Sequence, residues 1–548
     1  MKRHRKIDLR TFVFFVCFPS ALVAATPNPE APVRLIPGLG NAHHPVSTKN
    51  QQAQQFFDQG LNLVYGFNHD EARRSFARAG ELDPKLAMAH WGVALTLGPN
   101  YNLPVDPERE RAGYDAVQRA AALKESASEP ERAYIDALVV RYSNDPNVDL
   151  HALDRAYSDS MRKLAARYPD DLDAETLFAE SMMNLNPWKL WTADGKPADG
   201  TDEIVSVLES VLKRDPNHLG ANHYYIHAVE ASTHPERALP SAERLGKLAP
   251  AAGHLVHMPS HIYARVGDHL ASAHCNAVAA DADKKFLQRT QEQGVYRMMY
   301  YSHNLHFLAF AASMDGNFAE ARDAAAKLVS NVAPAVKAMP MLEGFMPTPI
   351  VVLFAFERWD DLLKLPAPDS AFLITNTVWH SLRGVALANK GQTAEAEKEQ
   401  SAFHDLAAKI PPDTMYDQLN NTGAVFKIHE NLLAGMIARS RHDDTAAIDS
   451  LTQAVAAEDA LNYSEPPPWY PPVRPMLGRV LLGAGQTADA EKIFRAALEK
   501  SPRYSCALVG LRDSLKAQNR AYEARQVDEQ LRATSKVAKS DSTSQTRR

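Results

Sequence analysis

The chain has 548 residues, 45% of them hydrophobic and 23% charged, and its formal net charge is −6. This length allows a large core or several domains, and an acidic balance argues against nucleic-acid binding, which needs clustered basic residues. Three cysteines are too few for a disulfide framework, although a single pair, Cys275 with Cys506, stays open.

The first 25 residues have the composition of a secretory signal peptide. Residues 1–10 (MKRHRKIDLR) are basic, residues 11–25 (TFVFFVCFPSALVAA) are apolar, and small residues suit a signal peptidase near Ala25. No later apolar run is long enough to span a membrane, which takes about 18 or more residues. We therefore expect an exported protein, periplasmic or secreted, with no stable membrane insertion after signal cleavage. An uncleaved membrane anchor is the alternative. Residues 26–50 then form a Pro-rich leader.

From residue 56 the sequence FFDQGLNLVYGFNHDEARRSFARAGELDP carries a spacing that recurs near the C-terminus. Its members are 12, 4, 3 and 5 residues apart in both copies: Gly60, Ala72, Phe76, Ala79, Pro84 and Gly478, Ala490, Phe494, Ala497, Pro502. Small residues let two antiparallel helices approach, an aromatic ring fills the gap, and proline ends the second helix. The spacing resembles that of the tetratricopeptide repeat (TPR) superfamily, which implies stacked helix pairs.

Degenerate copies of this spacing fill much of the interval, around residues 238–250, 309–321 and 384–396. Residues 104–215 are helical by pattern but only loosely periodic. We predict an all-α, TPR-like solenoid of antiparallel helix pairs with a concave groove, spanning residues 51–530. Residues 531–548 are predicted to be a disordered polar tail.

Histidines concentrate in the middle of the chain. Eleven of the 21 lie within residues 218–306, where an even spread would place about three. They fall in NHYYIHAVEAS from residue 222, GHLVHMPSHIYARVGDH from residue 253 and YSHNLHF from residue 301. Together with GPNYN and SEPPPWYPPVR, these segments resemble a widespread family of exported bacterial TPR proteins with a His-rich middle. That resemblance implies a fold and a compartment, but no established reaction.

Three consecutive first helices of the predicted pairs, about 219–232, 252–265 and 297–312, would line the groove. Spacings of three and four place imidazoles on one face of each helix. The candidate metal ligands are His223, His227, His254, His257, His261, His303 and His306. Pro259 disfavours helix at Met258, so the middle segment is either kinked there or begins at Pro259, with His254 and His257 on the preceding loop; the second case weakens the same-face argument for His254 in particular. His254 therefore ranks below His257 and His261.

This ligand set predicts a transition metal. Imidazole nitrogens suit Cu, Zn, Ni or Fe and argue against Ca or Mg. Six imidazoles in three pairs, without His254, match the ligand count of a coupled dicopper site of the tyrosinase class, an analogy of number only. The alternative is three imidazoles on one Zn, which leaves a position for a reactive water, with Glu230 as general base.

Three functions stay open at this point. The first is a metalloenzyme, with a copper-dependent oxidoreductase preferred and a zinc-dependent hydrolase second, acting on a small-molecule or peptide substrate in the groove. The second is an interaction scaffold whose groove holds a protein partner, and the third is metal storage or delivery without catalysis. We expect a monomer. The chain has no C-x-x-C-H, H-E-x-x-H, P-loop or G-x-S-x-G motif.

Overall fold

The computed structural model describes residues 32–292 and 294–544, with side chains to residue 534. The predicted signal peptide lies outside these ranges. Within them the chain is α-helical, without a β-strand, and contains three isolated bridges between loop residues. None of the helices in the described part is both long and apolar enough to cross a membrane.

The α-helices, in chain order, are α1 Gln51–Tyr65, α2 His69–Leu82, α3 Ala87–Leu97, α4 Pro107–Ala122, α5 Glu129–Val139, α6 Leu150–Arg167, α7 Leu172–Met183, α8 Thr201–Arg214, α9 Leu219–Val229, α10 Leu239–Leu248, α11 Gly253–His257, α12 Pro259–Arg265, α13 His269–Thr290, α14 Ser302–Asp315, α15 Phe318–Val332, α16 Thr348–Ala355, α17 Trp359–Lys364, α18 Leu373–Asn389, α19 Thr393–Ala407, α20 Thr422–Ser440, α21 Asp444–Asp459, α22 Arg474–Gly483, α23 Thr487–Lys500, α24 Ser505–Ala517 and α25 Ala521–Ser544. Short 3-10 turns at Lys124–Ser126, Pro235–Ala238 and Pro340–Phe345 and a π-helical turn at Tyr296–Tyr301 lie between them.

The first predicted repeat forms as its spacing indicates. The fully buried ring of Phe76 on α2 lies between α1 and α3. A Cβ added at Gly60 of α1 or at Gly92 of α3 would stand 2.6 or 2.4 Å from that ring. The glycines therefore let both neighbouring helices close onto the aromatic ring.

The same arrangement recurs near the C-terminus. Phe494 on α23 is fully buried, and a Cβ at Gly478 of α22 or Gly510 of α24 would stand 2.6 or 2.1 Å from its ring. Neighbouring helices pack as antiparallel pairs between these ends, among them α14 with α15, α18 with α19 and α20 with α21. The predicted all-α, TPR-like solenoid is confirmed.

The array curls back on itself in its N-terminal half, so that α1 also packs against α9. Tyr65, at the end of α1, is buried under Gly220, where a Cβ would stand 2.4 Å from the ring. One large apolar core extends from residue 39 to residue 300 and a second from residue 273 to residue 527. The His-rich helices lie where these two cores meet.

Residues 32–50 have no helix and are fixed to the solenoid by hydrogen bonds. The His44 Nδ1–H donates to Asp173 of α7 over 2.8 Å, and the Ser47 backbone N–H donates to Glu131 of α5 over 2.6 Å. Asp173 also accepts from the hydroxyl of Tyr65 and lies 3.2 Å from the His218 ring nitrogen. This leader segment therefore links α1, α5 and α7.

At the other end, α25 continues through residue 544 and so enters the segment predicted to be a disordered tail. Residues 531–544 have no proline or glycine and include Leu, Ala, Lys and Arg, which favour helix, so their polarity does not prevent helix formation. Cys275 and Cys506 are both free, so the disulfide left open by the sequence is not formed.

Candidate metal centre

Three helical segments bring the candidate ligands together. α9 packs against α10, α10 packs against α12, and α13 contacts α11, α12 and α14. Pro259 has no N–H to donate, and the chain bends at Met258, whose backbone is still helical (φ −51°, ψ −36°). The kinked alternative is therefore the observed one, and His254 lies on a helix and not on a loop.

The first set of converging imidazoles consists of His223, His227 and His254. One ring nitrogen from each lies within 4.8 Å of the others, and the three side chains are 0%, 1% and 3% exposed. His254 thus belongs with the two histidines of α9, although the sequence ranks it below its neighbours on α11 and α12. Helix packing, and not spacing along one helix, decides this grouping.

Hydrogen bonds fix the tautomers of two of these rings. The His223 Nδ1 lies 2.6 Å from the Tyr65 carbonyl oxygen, and the His227 Nδ1 lies 2.9 Å from a Glu230 carboxylate oxygen. Both oxygens can only accept, so both Nδ1 atoms carry the proton and each Nε2 keeps a free lone pair. These two Nε2 atoms have no hydrogen-bond partner, and neither has either nitrogen of His254. Buried polar atoms without partners are costly, and a metal ion would satisfy them.

The second set consists of His257, His261 and His303. The His257 Nε2 lies 2.8 Å from the His261 Nε2 and 3.0 Å from the His303 Nε2. The first two side chains are buried, whereas His303 is half-buried. Nitrogens bound tetrahedrally to Zn at about 2.0–2.1 Å stand roughly 3.3 Å apart, so only a small separation of the rings would admit an ion.

Tautomers are fixed here too. The His257 Nδ1–H donates over 2.6 Å to the Asn276 side-chain oxygen. The side-chain NH₂ of Asn276 in turn donates over 2.8 Å to the Ser272 carbonyl. The His261 Nδ1–H donates to the second carboxylate oxygen of Glu230. Because both Nδ1 atoms are donors, the facing Nε2 lone pairs repel unless a cation lies between them. That cation is a proton or a metal ion.

The protonation of the centre follows from burial and from Glu230. Burial raises the pKa of the Glu230 carboxyl, but His261 and His227 outweigh this effect and lower that pKa to about 2. Burial lowers the pKa of His261, yet the Glu230 carboxylate outweighs it and raises that pKa. Burial lowers the pKa of each of the other five rings, which are therefore neutral at neutral pH: His223, His227, His254, His257 and His303. Without metal, His261 holds the proton and donates it toward His257.

Two candidates from the sequence are placed differently from the rest. Glu230 lies behind the imidazoles with both carboxylate oxygens hydrogen-bonded, so acting as a general base would require breaking one of those bonds. His306 joins neither set, because its ring contacts Phe345 and Tyr470 instead. A spacing of three residues turns it about 60° around α14 from His303. Burial lowers the pKa of His306 to about 4.

Aromatic rings enclose the two sets. Phe67 lies 4.6 to 5.8 Å, centroid to centroid, from the three rings of the first set, and Phe307 lies 5.2 to 5.9 Å from those of the second. Tyr101, from the GPNYN segment, stacks on Trp188 and lies 5.0 Å from His227. Phe67, Tyr101 and Trp188 reach the site through long-range packing, whereas Phe307 lies four residues after His303 on α14 and so shares its helical face.

The half-buried side of the centre faces the SEPPPWYPP segment. Tyr463, just before it, donates a hydrogen bond to Glu465, and Arg265 lies 5.5 Å from the Tyr463 ring. Burial raises the pKa of Glu465 to about 7, while His261 opposes that rise. Tyr470 reaches His306. This proline-rich segment therefore closes the edge of the centre nearest the second set.

A further group of possible ligands, His44, Asp171 and Asp173, lies in the N-terminal half. Its carboxylates are already occupied, because Asp173 accepts from His44 and Tyr65, and Asp171 accepts from Tyr134 over 2.9 Å. The group therefore fixes the leader segment, and its carboxylates already serve hydrogen bonds within the protein.

Comparison with known proteins adds neither a family nor a reaction. No protein-family model matches the chain, and no curated protein matches it in sequence. Among solved structures, a chain of the APC/C hetero-tetramer Cut9–Hcn1 is similar at a TM-score of 0.31 and 15% identity, covering 84% of this chain and 76% of that one. Human IFIT1, in a dimer with m7Gppp-AAAA, is similar at a TM-score of 0.31 and 13% identity, and the match covers 89% of this chain and 91% of IFIT1. The P58(IPK) TPR domain is similar at a TM-score of 0.23 and 9% identity, and the match covers 86% of this chain and 99% of that domain. These TM-scores are low, so the fold assignment rests on the helix pairing described above.

Proposed function

Starting from an all-α, TPR-like solenoid with two enclosed sets of three imidazoles, we propose that the protein binds two transition-metal ions and is a metalloenzyme. One observation carries the proposal. In each set the ring nitrogens converge, and in four of the six rings the other nitrogen, Nδ1, donates a hydrogen bond to an acceptor fixed by the fold. Metal-binding histidines almost always donate their other N–H to a carboxylate or a carbonyl in this way. A repeat fold of this type also provides extended surfaces for protein partners.

A purely structural role for these histidines explains less. A buried ring that only fills the core would have its polar atoms paired, yet four ring nitrogens of the first set are buried without a partner. In the second set, three Nε2 atoms face one another. A single proton on the His261 Nε2 would be shared with His257, but it would leave the His303 Nε2 and the whole first set unsatisfied.

Copper is the metal we favour, with zinc second. All six ligand atoms are imidazole nitrogens, and Glu230 is engaged as a hydrogen-bond acceptor of two of the rings, which disfavours Mg and Ca. Two adjacent three-imidazole sets, enclosed by aromatic rings, suit an oxidoreductase that acts on a small molecule. Three imidazoles around Zn leave one open position, which would suit a hydrolase. We also propose export to the periplasm or secretion, on the composition of residues 1–25.

The direct test is metal content. The full chain, as exported and purified, is incubated with Cu²⁺ or Zn²⁺, dialysed, and analysed by mass spectrometry beside the double variant His257→Ala/His261→Ala. We expect two equivalents in the wild type and at most one in the variant. His306→Ala is the matched control, since His306 lies on α14 beside His303 but outside both sets, and it should keep two. A folded wild type that retains neither metal would refute the proposal.

Catalysis is tested on the loaded protein. Oxygen uptake with simple phenols tests the copper-dependent oxidoreductase, and hydrolysis of activated esters by the zinc form tests the hydrolase. A protein that holds two ions and does neither would be a metal store or carrier. A protein that holds none, yet retains a peptide on its groove, would be an interaction scaffold.

A further inference from the structure

The two sets of imidazoles are joined by one side chain. Glu230 follows the last residue of α9, and its backbone N–H still donates to the Ile226 carbonyl over 2.9 Å. One carboxylate oxygen accepts from His227, a member of the first set, and the other accepts from His261, a member of the second. We infer that Glu230 is a positioning residue common to both metal sites, so that both ions depend on this carboxylate. This inference rests on the proposed function.

The environment of Glu230 holds its carboxylate in place between the two sets. Its side chain is 1% exposed, and the two imidazoles are the hydrogen-bond partners of its carboxylate in the described part of the chain. Arg265 is close but is directed elsewhere, since its guanidinium donates to the backbone carbonyls of Glu230 and Ser232 over 2.9 and 3.0 Å. Those bonds hold the backbone of Glu230 from α12, while the helix end holds it from α9. The carboxylate is therefore fixed between the two sets.

The charge of Glu230 acts on both sites at once. An imidazole that binds a metal ion becomes a stronger N–H donor, and a buried carboxylate behind it stabilises that state. Two neighbouring cations also repel each other in a buried site, and one shared anion lowers that cost for both. The Tyr65 carbonyl orients His223 and Asn276 orients His257, and each of these groups serves one set only.

Replacement by glutamine tests the sharing through proton positions. A carboxamide has one acceptor oxygen and one donor NH₂, so Glu230→Gln can accept from only one of the two Nδ1–H groups. The other imidazole must turn its Nδ1 into an acceptor, which places its proton on Nε2, the atom needed for the metal. Glu230→Gln therefore removes the shared charge from both sites and a ligand lone pair from one.

The experiment is a Zn²⁺ titration of the full-length exported protein against a competing chelator, which gives the two dissociation constants. We expect Glu230→Gln to weaken both sites by at least about 10-fold, and Asn276→Ala to weaken one site by about 10–100-fold and leave the other unchanged, as is typical of groups that orient metal ligands. Imidazole ¹⁵N NMR of the zinc-loaded proteins supplies a second readout. In the wild type both His227 and His261 should carry the proton on Nδ1, and in Glu230→Gln one of them should carry it on Nε2.

Glu230→Asp covers the case in which the glutamine variant does not fold. The shorter side chain keeps the charge but cannot reach both rings, so one site should stay tight and the other weaken. Two unchanged dissociation constants in either folded variant, or weakening of a single site in Glu230→Gln, would overturn the shared role while leaving the two-metal proposal intact. A wild type that binds no Zn²⁺ would overturn both.

Discussion

His257 and His303 face each other through their Nε2 atoms at 3.0 Å, although 46 residues separate them in the chain. The pair joins α11 to α14, and His261 completes the set from α12. The three side chains of this second set come from three different helices. Loss of one ring should therefore empty one proposed metal site without unfolding the solenoid.

His303→Ala should therefore reduce the Zn²⁺ content from two equivalents to one. It should also reduce, but not abolish, the thermal stabilisation that Zn²⁺ gives, since an ion at 100 times its Kd contributes about 2.7 kcal/mol. Mass spectrometry and calorimetry with and without a chelator measure the two effects. Two retained equivalents would contradict the assignment of His303, and the His306→Ala variant controls for changes on α14.

His254→Leu should separate metal binding from stability. Both ring nitrogens of His254 are buried without partners, and an unsatisfied buried polar group costs about 1–3 kcal/mol. The variant should lose the ion of the first set, while its metal-free form unfolds at higher urea concentration than the metal-free wild type. Urea unfolding followed by circular dichroism checks this expectation. A less stable metal-free variant would show that His254 has an apo-state role instead.

A glycine pair on one helix tests the repeat packing. Gly478→Ala would place a Cβ 2.6 Å from the Phe494 ring, so we expect a loss of about 1–3 kcal/mol of unfolding free energy. Gly483, at the end of the same helix α22, has open space around it, and Gly483→Ala should be neutral or stabilise by up to about 1 kcal/mol. Chemical denaturation measures both variants, and equal effects would contradict the packing argument.

The attachment of the leader segment should depend on pH. Burial lowers the pKa of His44, but Asp173 outweighs burial and raises that pKa. The stability that the charged His44 contributes is therefore complete below about pH 6.5 and is lost as the pH rises through the raised pKa. Burial raises the pKa of Asp173, but the hydrogen bonds from His218 and His44 outweigh this and lower it. The Asp173 contribution is therefore complete above about 4 and is lost as pH falls below that. The two contributions to stability are therefore present together between about pH 4 and 6.5.

We expect residues 36–48 to exchange amide hydrogens faster, relative to the intrinsic rate, at about pH 8.5 than at about pH 5.5, and His44→Gln to remove that difference. His43→Gln is the matched control. His43 is 61% exposed and pairs with Asp58, so it should leave the pH dependence unchanged. Hydrogen exchange followed by mass spectrometry measures all three proteins, and identical behaviour of the two variants would count against the His44–Asp173 attachment.

The fold could be predicted because its signal is local and repeated. Phe76 and Phe494 occupy the same position in helix pairs far apart in the chain, and each packs against a glycine at the predicted spacing, Gly60 or Gly478. The pairs His223 with His227 and His257 with His261 were predictable for a related reason, since residues four apart share a helical face. Local periodicity carries this information without any knowledge of tertiary structure.

The composition of each histidine set could not be predicted in this way. His254 joins two histidines of another helix, and His303 takes part where His306 does not, because the crossing of helices and the π-helical turn before α14 set which ring faces the centre. The backbone carbonyl of Tyr65 that orients His223 leaves no mark on the sequence at all. Spacing along one helix cannot report how that helix sits against another.

The bond between Tyr65 and His223 spans 158 residues, and it has a consequence for the order of assembly. The tautomer that frees the His223 Nε2 is set by a carbonyl at the end of α1, so the first site is incomplete until the start of the solenoid has docked on α9. A chain that lacks α1 would keep all six imidazoles and still hold its first ion weakly. Tight binding of an ion at that site would thus require that the start of the solenoid has docked on α9.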